Sequence, residues 1–139
     1  MLFLKTLLVE CIIPRHESRI NEVSDIAKAA NYNVIGQITQ HRKTIDPAFY
    51  IGEGKLDEIR RFIEENSIEV VIFTQQLSAG QIFRIKKKLG DRIRVLDRNL
   101  LILEIFEKLG LELTLAQAVY LPLKILPKNR HPSEFGPEM

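Results

Sequence analysis

Glu69-Val70-Val71-Ile72-Phe73-Thr74 is the stretch whose reading decides the fold. Its run of β-favouring apolar residues shows no alternation between a wet and a dry face, so both faces must be buried. Shortly after it, Ser78-Ala79-Gly80-Gln81 places Ser at a helix N-cap and Gln at N3, a capping box opening a helix that runs through Leu89. Gly90 supplies a C-terminal stop, and Ile93-Arg94-Val95-Leu96 reads as the next strand. A doubly buried strand, a helix and a further strand form a βαβ unit, which implies a parallel sheet.

The same alternation extends toward the N-terminus. Residues 4–13 are rich in Leu, Val and Ile and form a buried first strand, ended by Pro14. In residues 17–30 the apolar side chains Ile20, Val23, Ile26, Ala27 and Ala30 fall on one helix face. Residues 32–39 read as the second strand. A basic loop, His41-Arg42-Lys43-Thr44-Ile45-Asp46-Pro47, then leads to the short apolar strand end Phe49-Tyr50-Ile51. The second helix covers residues 55–65 with Leu56, Ile59, Phe62 and Ile63 inward, and Asp97 caps a helix beginning Arg98-Asn99-Leu100. The expected fold class is therefore α/β, a mostly parallel four-stranded sheet with flanking helices. Residues 1–98 form this α/β unit, residues 99–126 an apolar C-terminal helical segment, and residues 127–139, with three prolines, a linker-like tail.

Composition bounds the function. Hydrophobic content of 45 % and charged content of 27 % are those of a globular domain able to bury a core without staples. The single cysteine, Cys11, rules out an internal disulfide and suits a reducing cytoplasm; within an apolar strand it reads as inert filler. His16, His41 and His131 lack metal-ligand spacing, so no metal site is expected. Lys5 and Glu10 interrupt the apolar start, which reads as a strand rather than a signal peptide, and no stretch is long enough to span a membrane. A net charge of +2 is too small to argue for nucleic acid by itself; the distribution of charge matters more.

Tyr50-Ile51-Gly52-Glu53-Gly54-Lys55-Leu56 is the most suggestive motif. Gly52 and Gly54 can take positive φ, and free amides at the following helix N-terminus, with Lys55, can attract an anion such as phosphate. The competing reading is a turn and helix entry. The Walker pattern fails here, with Phe49 where a glycine is required and Leu56 where Ser or Thr is required. No catalytic constellation emerges. Ser78 is explained as a cap, and the neighbouring carboxylates Asp57-Glu58 and Glu64-Glu65 diverge on their helix.

The motifs Tyr50-Ile51-Gly52-Glu53-Gly54-Lys55-Leu56-Asp57-Glu58-Ile59, Leu77-Ser78-Ala79-Gly80-Gln81 and Leu96-Asp97-Arg98-Asn99-Leu100-Leu101-Ile102-Leu103-Glu104-Ile105-Phe106 occur in the order found in one family. Leu8-Val9, Gln40 and Leu115-Ala116-Gln117-Ala118-Val119-Tyr120 extend the match to roughly residues 4–126. The chain resembles the N-terminal domain of HflX-type ribosome-associated GTPases. The resemblance implies an α/β domain that contacts ribosomal RNA on the large subunit and has been linked with purine-nucleotide binding, ATP or GTP, outside the GTPase domain. The chain departs from the pattern after Phe106. Glu107-Lys108-Leu109-Gly110 goes almost directly to Leu111, and Gly110 and Pro122 break and shorten the long helix. The second helix of the family's hairpin is missing, and Phe135-Gly136-Pro137-Glu138 stands where its Gly-Pro-Gly-Glu turn precedes that helix. The GTPase domain's motifs are absent, so hydrolysis does not carry over and the chain is expected to be no enzyme by itself.

Parallel sheets bind ligands beyond the carboxyl ends of their strands. That edge gathers Arg15, His16 and Arg19 with His41, Arg42 and Lys43 as an RNA or large-subunit surface, set against ordinary solvated charge. Gly52, Gly54, Lys55 and Arg98 are the nucleotide or anion candidates, with a cap and salt-bridge role for Asp97-Arg98 equally open. Lys86-Lys87-Lys88 reads as a solvated face. Two other functions stay open: a nucleotide-binding regulatory module, and an interaction module in which the apolar residues beginning at Leu100 and ending at Leu126 fold back on the sheet, self-associate as a homodimer or dock on another chain.

Overall fold

A computed structural model describes residues 3–108 and 110. Strands β1 (Lys5–Ile12), β2 (Asn33–His41), β3 (Val70–Phe73) and β4 (Arg94–Leu96) alternate with helices α1 (Ile20–Ala29), α2 (Glu53–Asn66), α3 (Ala79–Leu89) and α4 (Arg98–Lys108). The sheet has the order β2-β1-β3-β4 and every pairing is parallel. The expected α/β class and four-stranded parallel sheet are what the structure shows.

Alternate residues of β1, β3 and β4 feed two separate cores, as strand pleating requires. Leu7, Val9, Cys11, Val71, Phe73 and Val95 pack with Leu56, Ile59 and Ile63 of α2 and Ile85 of α3. Leu8, Val70, Ile72 and Leu96 pack with Val23, Ile26 and Ala27 of α1 and with Leu101, Ile102 and Phe106 of α4. The result is a helix–sheet–helix sandwich in which the chain leaves β1 in one direction and later returns to its other side with β3. The crossing between β1 and β3 is the topological switch point of the sheet.

Several boundaries differ from expectation. Helix α1 starts at Ile20, not residue 17, because Ser18 and the Arg19 amide are held by Glu10. Strand β2 runs on to His41, as Cys11 and Ile12 pair with Gln40 and His41. The segment 49–51 is not a strand end: an isolated bridge joins Asp46 to Tyr50. That bridge closes a tight turn in which Asp46 Oδ1 accepts the Ala48 and Phe49 amides at 2.8 Å each. The capping box is present, with Gln81 N donating to Ser78 Oγ at 3.1 Å and Ser78 N donating to Gln81 Oε1 at 2.9 Å. Asp97 caps α4 through the Leu100 amide at 2.9 Å and also takes the Leu77 amide at 2.8 Å, tying α4 to the end of β3. Leu101, Ile102 and Phe106 of the C-terminal segment are buried against the sheet. Residues 111–139, which include Pro122, the rest of that apolar segment and the linker-like tail, lie outside the described residues.

Candidate nucleic-acid interface at the strand ends

Strands β1 and β2 end side by side, and the chain leaves them in different ways. After β1, the His16 amide donates back to Ile13 O at 3.2 Å, and Arg15 takes a left-handed conformation with φ of 71°. After β2, the Arg42 amide continues the ladder by donating to Ile12 O at 2.9 Å. Between the two exits lies an open hollow of about 380 Å³ lined by Ile12, Ile13, Pro14, His41, Arg42 and Lys43. Its floor is apolar and its rim basic. His41 and Lys43 are exposed, whereas half-buried Arg42 is steadied by donation from Nε to Thr44 O at 3.1 Å. Arg15 and His16 are exposed on the adjoining turn without lining the hollow. Arg19 stands apart at the N-cap of α1.

The anion candidates are arranged differently. Gly52 and Gly54 do not supply the positive φ expected of them; Tyr50 does, at 68°. Gly52 is extended, with φ −72° and ψ 155°, and its amide donates to Gln40 Oε1 at 2.9 Å. Its missing Cβ leaves room for two side-chain ends: a Cβ there would meet the Arg42 guanidinium at 2.7 Å and Gln40 Nε2 at 3.2 Å. At Gly54 a Cβ would meet nothing within 4 Å. Lys55 Nζ pairs with Glu58 at 2.8 Å. Arg98 begins α4 in the other helical layer, so the structure does not bring it together with the glycine turn. It is buried, donates to Asn99 Oδ1 at 3.4 Å, and has its pKa lowered by burial and by the nearby Arg19 charge.

Two residues with positioning roles escape a reading by motif. Glu10 is fully buried at the switch point, where its carboxylate accepts Ser18 Oγ at 2.5 Å, Arg19 N at 2.8 Å and Thr74 Oγ1 at 2.6 Å. The one available signal was a charge inside an apolar strand. Tyr50 packs edge-on against Phe73 with ring centroids 5.5 Å apart. Its hydroxyl accepts the Cys11 amide at 3.1 Å and donates to Gln75 Oε1, which anchors the basic loop to β1 and the end of β3. Burial pushes the Cys11 thiol up from its ordinary pKa, which disfavours the thiolate form. Among the described residues there is no group of His, Cys, Asp and Glu able to hold a metal ion, and no helix long and apolar enough to cross a membrane.

The model of the GTP-binding GTPase N-terminal family matches residues 17–107. The chain belongs to that family. Among its relatives, the GTPase HflX of Caldanaerobacter subterraneus subsp. tengcongensis is 38 % identical over 113 residues, which is 77 % of this chain and 26 % of the relative. The GTPase HflX of Alkalihalophilus pseudofirmus is 37 % identical over 125 residues, 83 % of this chain and 29 % of the relative. A crystal structure of SsGBP in complex with GDP superposes with a TM-score of 0.60 at 28 % identity, covering 76 % of this chain and 29 % of that one. A GTP-binding protein from the hyperthermophilic archaeon Sulfolobus solfataricus, also in complex with GDP, gives 0.55 at 27 % identity, covering 73 % and 30 %. The chain thus spans less than a third of the length of these HflX relatives, and what it matches is their GTPase N-terminal domain.

Proposed function

We propose that this HflX N-terminal domain is a cytoplasmic, non-catalytic ribosome-binding module that contacts RNA of the large subunit through Arg15, His16, His41, Arg42 and Lys43. The observation that supports this most is the basic-rimmed hollow at the adjacent carboxyl ends of β1 and β2. A phosphodiester backbone is met by an open cationic surface rather than an enclosed pocket, and its affinity comes from displaced counterions. Arg19, which does not line the hollow, contributes less. The nucleotide reading for Gly52, Gly54, Lys55 and Arg98 has weaker support. The Gly52 amide and Lys55 ammonium already have partners, and Arg98 lies in the other layer.

The test is co-sedimentation with purified large ribosomal subunits at low and high salt, comparing the wild type with an Arg15→Ala/Arg42→Ala/Lys43→Ala variant. Each lost phosphate contact lowers the slope of log affinity against log salt by about 0.7 to 0.9. The expected outcome is binding that salt weakens and the triple variant loses at least tenfold. Equal binding by both proteins would remove the strand-end surface from consideration.

A further inference from the structure

The outward face of α3 carries features that the strand-end site does not use. Helix α3 contains Arg84, Lys86, Lys87 and Lys88 and no Asp or Glu. Phe83, 61 % exposed, sits in the middle of that face. At helical spacing, Ala79 and Gly80 lie one turn before it, and Lys86 and Lys87 one turn after. Lys87 Nζ stands 5.2 Å from the Phe83 ring centroid, and Lys88 Nζ stands 5.8 Å from that of Phe49. Lysines in a last turn are accounted for by the helix dipole. The dipole does not account for a large aromatic ring displayed among them, beside two of the smallest side chains.

The face is also continuous with the basic loop. Arg84 Nε donates to Ala48 O at 2.9 Å and Gln81 Nε2 to Asp46 O at 3.2 Å, so the turn carrying Phe49 is fixed on α3. That turn is the far end of the loop that starts at His41, Arg42 and Lys43. Its acidic side chain, Asp46, is directed to the Ala48 and Phe49 amides.

We propose that the α3 face binds single-stranded RNA, with an unstacked base on Phe83 and the flanking phosphates on Lys86, Lys87 and Lys88. An exposed ring framed by cations, with no acid on its helix, suits a strand that offers bases and phosphates together. A duplex keeps its base faces stacked on one another, out of reach of an exposed ring. The inference extends the ribosome-binding reading to a second surface. Its test needs no ribosome, so either proposal can fail without the other.

The full chain is titrated into a fluorescein-labelled oligouridylate of about 12 nucleotides, a length within single-strand site sizes. A matching RNA duplex and a polyglutamate peptide serve as competitors, and binding is read by anisotropy. Phe83→Ala is expected to weaken single-strand binding about tenfold, the scale of one lost base stack, while Phe83→Trp retains it. Lys86→Gln/Lys87→Gln/Lys88→Gln is expected to flatten the salt slope by about 2, at about 0.7 per single-strand phosphate. Phe83 is exposed, so both of its variants should keep the wild-type melting temperature. Absent binding, equal affinity for duplex and single strand, or an unchanged Phe83→Ala protein would each overturn the proposal. Phe83-dependent binding of polyglutamate without RNA binding would overturn it too and assign the face to an acidic protein segment.

Discussion

At the scale of single residues, two glycines two positions apart separate packing from backbone freedom. Gly52 has an ordinary φ, so alanine is not strained there, yet its Cβ would press on the Arg42 guanidinium 2.7 Å away. Arg42 is the flexible partner and gives way. Gly52→Ala is therefore expected to change stability by less than about 1 kcal/mol while weakening subunit binding several-fold through a displaced Arg42. Gly54 lies inside the first turn of α2 with open space around it, so Gly54→Ala should stabilise the fold by about 0.5 kcal/mol and leave binding unchanged. Urea midpoints and co-sedimentation of both variants check this pair; identical behaviour would show that Arg42 is not placed by Gly52. The sequence motif drew attention to the right turn but to the wrong cause. The left-handed residue is Tyr50, which bears a cost of roughly 1–2 kcal/mol for a residue with a Cβ. Its ring and hydroxyl are engaged by Phe73, Cys11 and Gln75. Those partners are remote in the chain, so local propensity cannot reveal them.

At the scale of elements, Glu10 joins β1, α1 and β3 through one carboxylate. Removing it strands the Thr74 hydroxyl in the interior and leaves Ser18 and the Arg19 amide without their acceptor. Buried groups that lose a charged partner cost more than the net value of the bond. Glu10→Ala should lower unfolding free energy by about 3 kcal/mol, and Glu10→Gln, which keeps one acceptor oxygen, by less. Chemical denaturation measures both; a loss below about 1 kcal/mol for alanine would mean that the β1–α1 connection is held by packing alone. Local signals served well where the cause was local. The Ser78–Gln81 box, the Gly90 stop and the Asp97 cap are all legible in short windows. The true start of α1 was not, because Glu10 intervenes from the preceding strand. Nor was the extension of β2 through Gln40 and His41, which rests on hydrogen bonds to β1 rather than on the apolarity of those two residues.

At the scale of the whole molecule, the run of four strands and intervening helices is enough to imply a sandwich. The order β2-β1-β3-β4 is a matter of long-range pairing that no window contains. The two helical layers also give the molecule a common sensitivity to alkali. Burial raises the pKa of the Cys11 thiol and the Tyr50 hydroxyl in one core and of the Tyr32 hydroxyl in the other. Tyr32 is further raised by its hydrogen bond to Glu104, a carboxylate that also pairs with Arg94 at 2.5 Å and Lys108 at 3.3 Å. Below the ordinary values of 9.0 for the thiol and 10.0 for the phenols, these groups stay protonated in both folded and unfolded chains and stability is unaffected. Above those values the unfolded chain releases protons that the folded chain retains, and the equilibrium moves toward unfolding. Unfolding free energy should thus be level near pH 8 and fall beyond about pH 9, by at most about 1.4 kcal/mol per pH unit for each group. Urea titrations from about pH 8 to about pH 11 test this, with Tyr32→Phe expected to give a shallower decline because one titrating phenol is gone. A flat profile in the wild type would show that water reaches these groups as freely in the folded protein as in the unfolded chain.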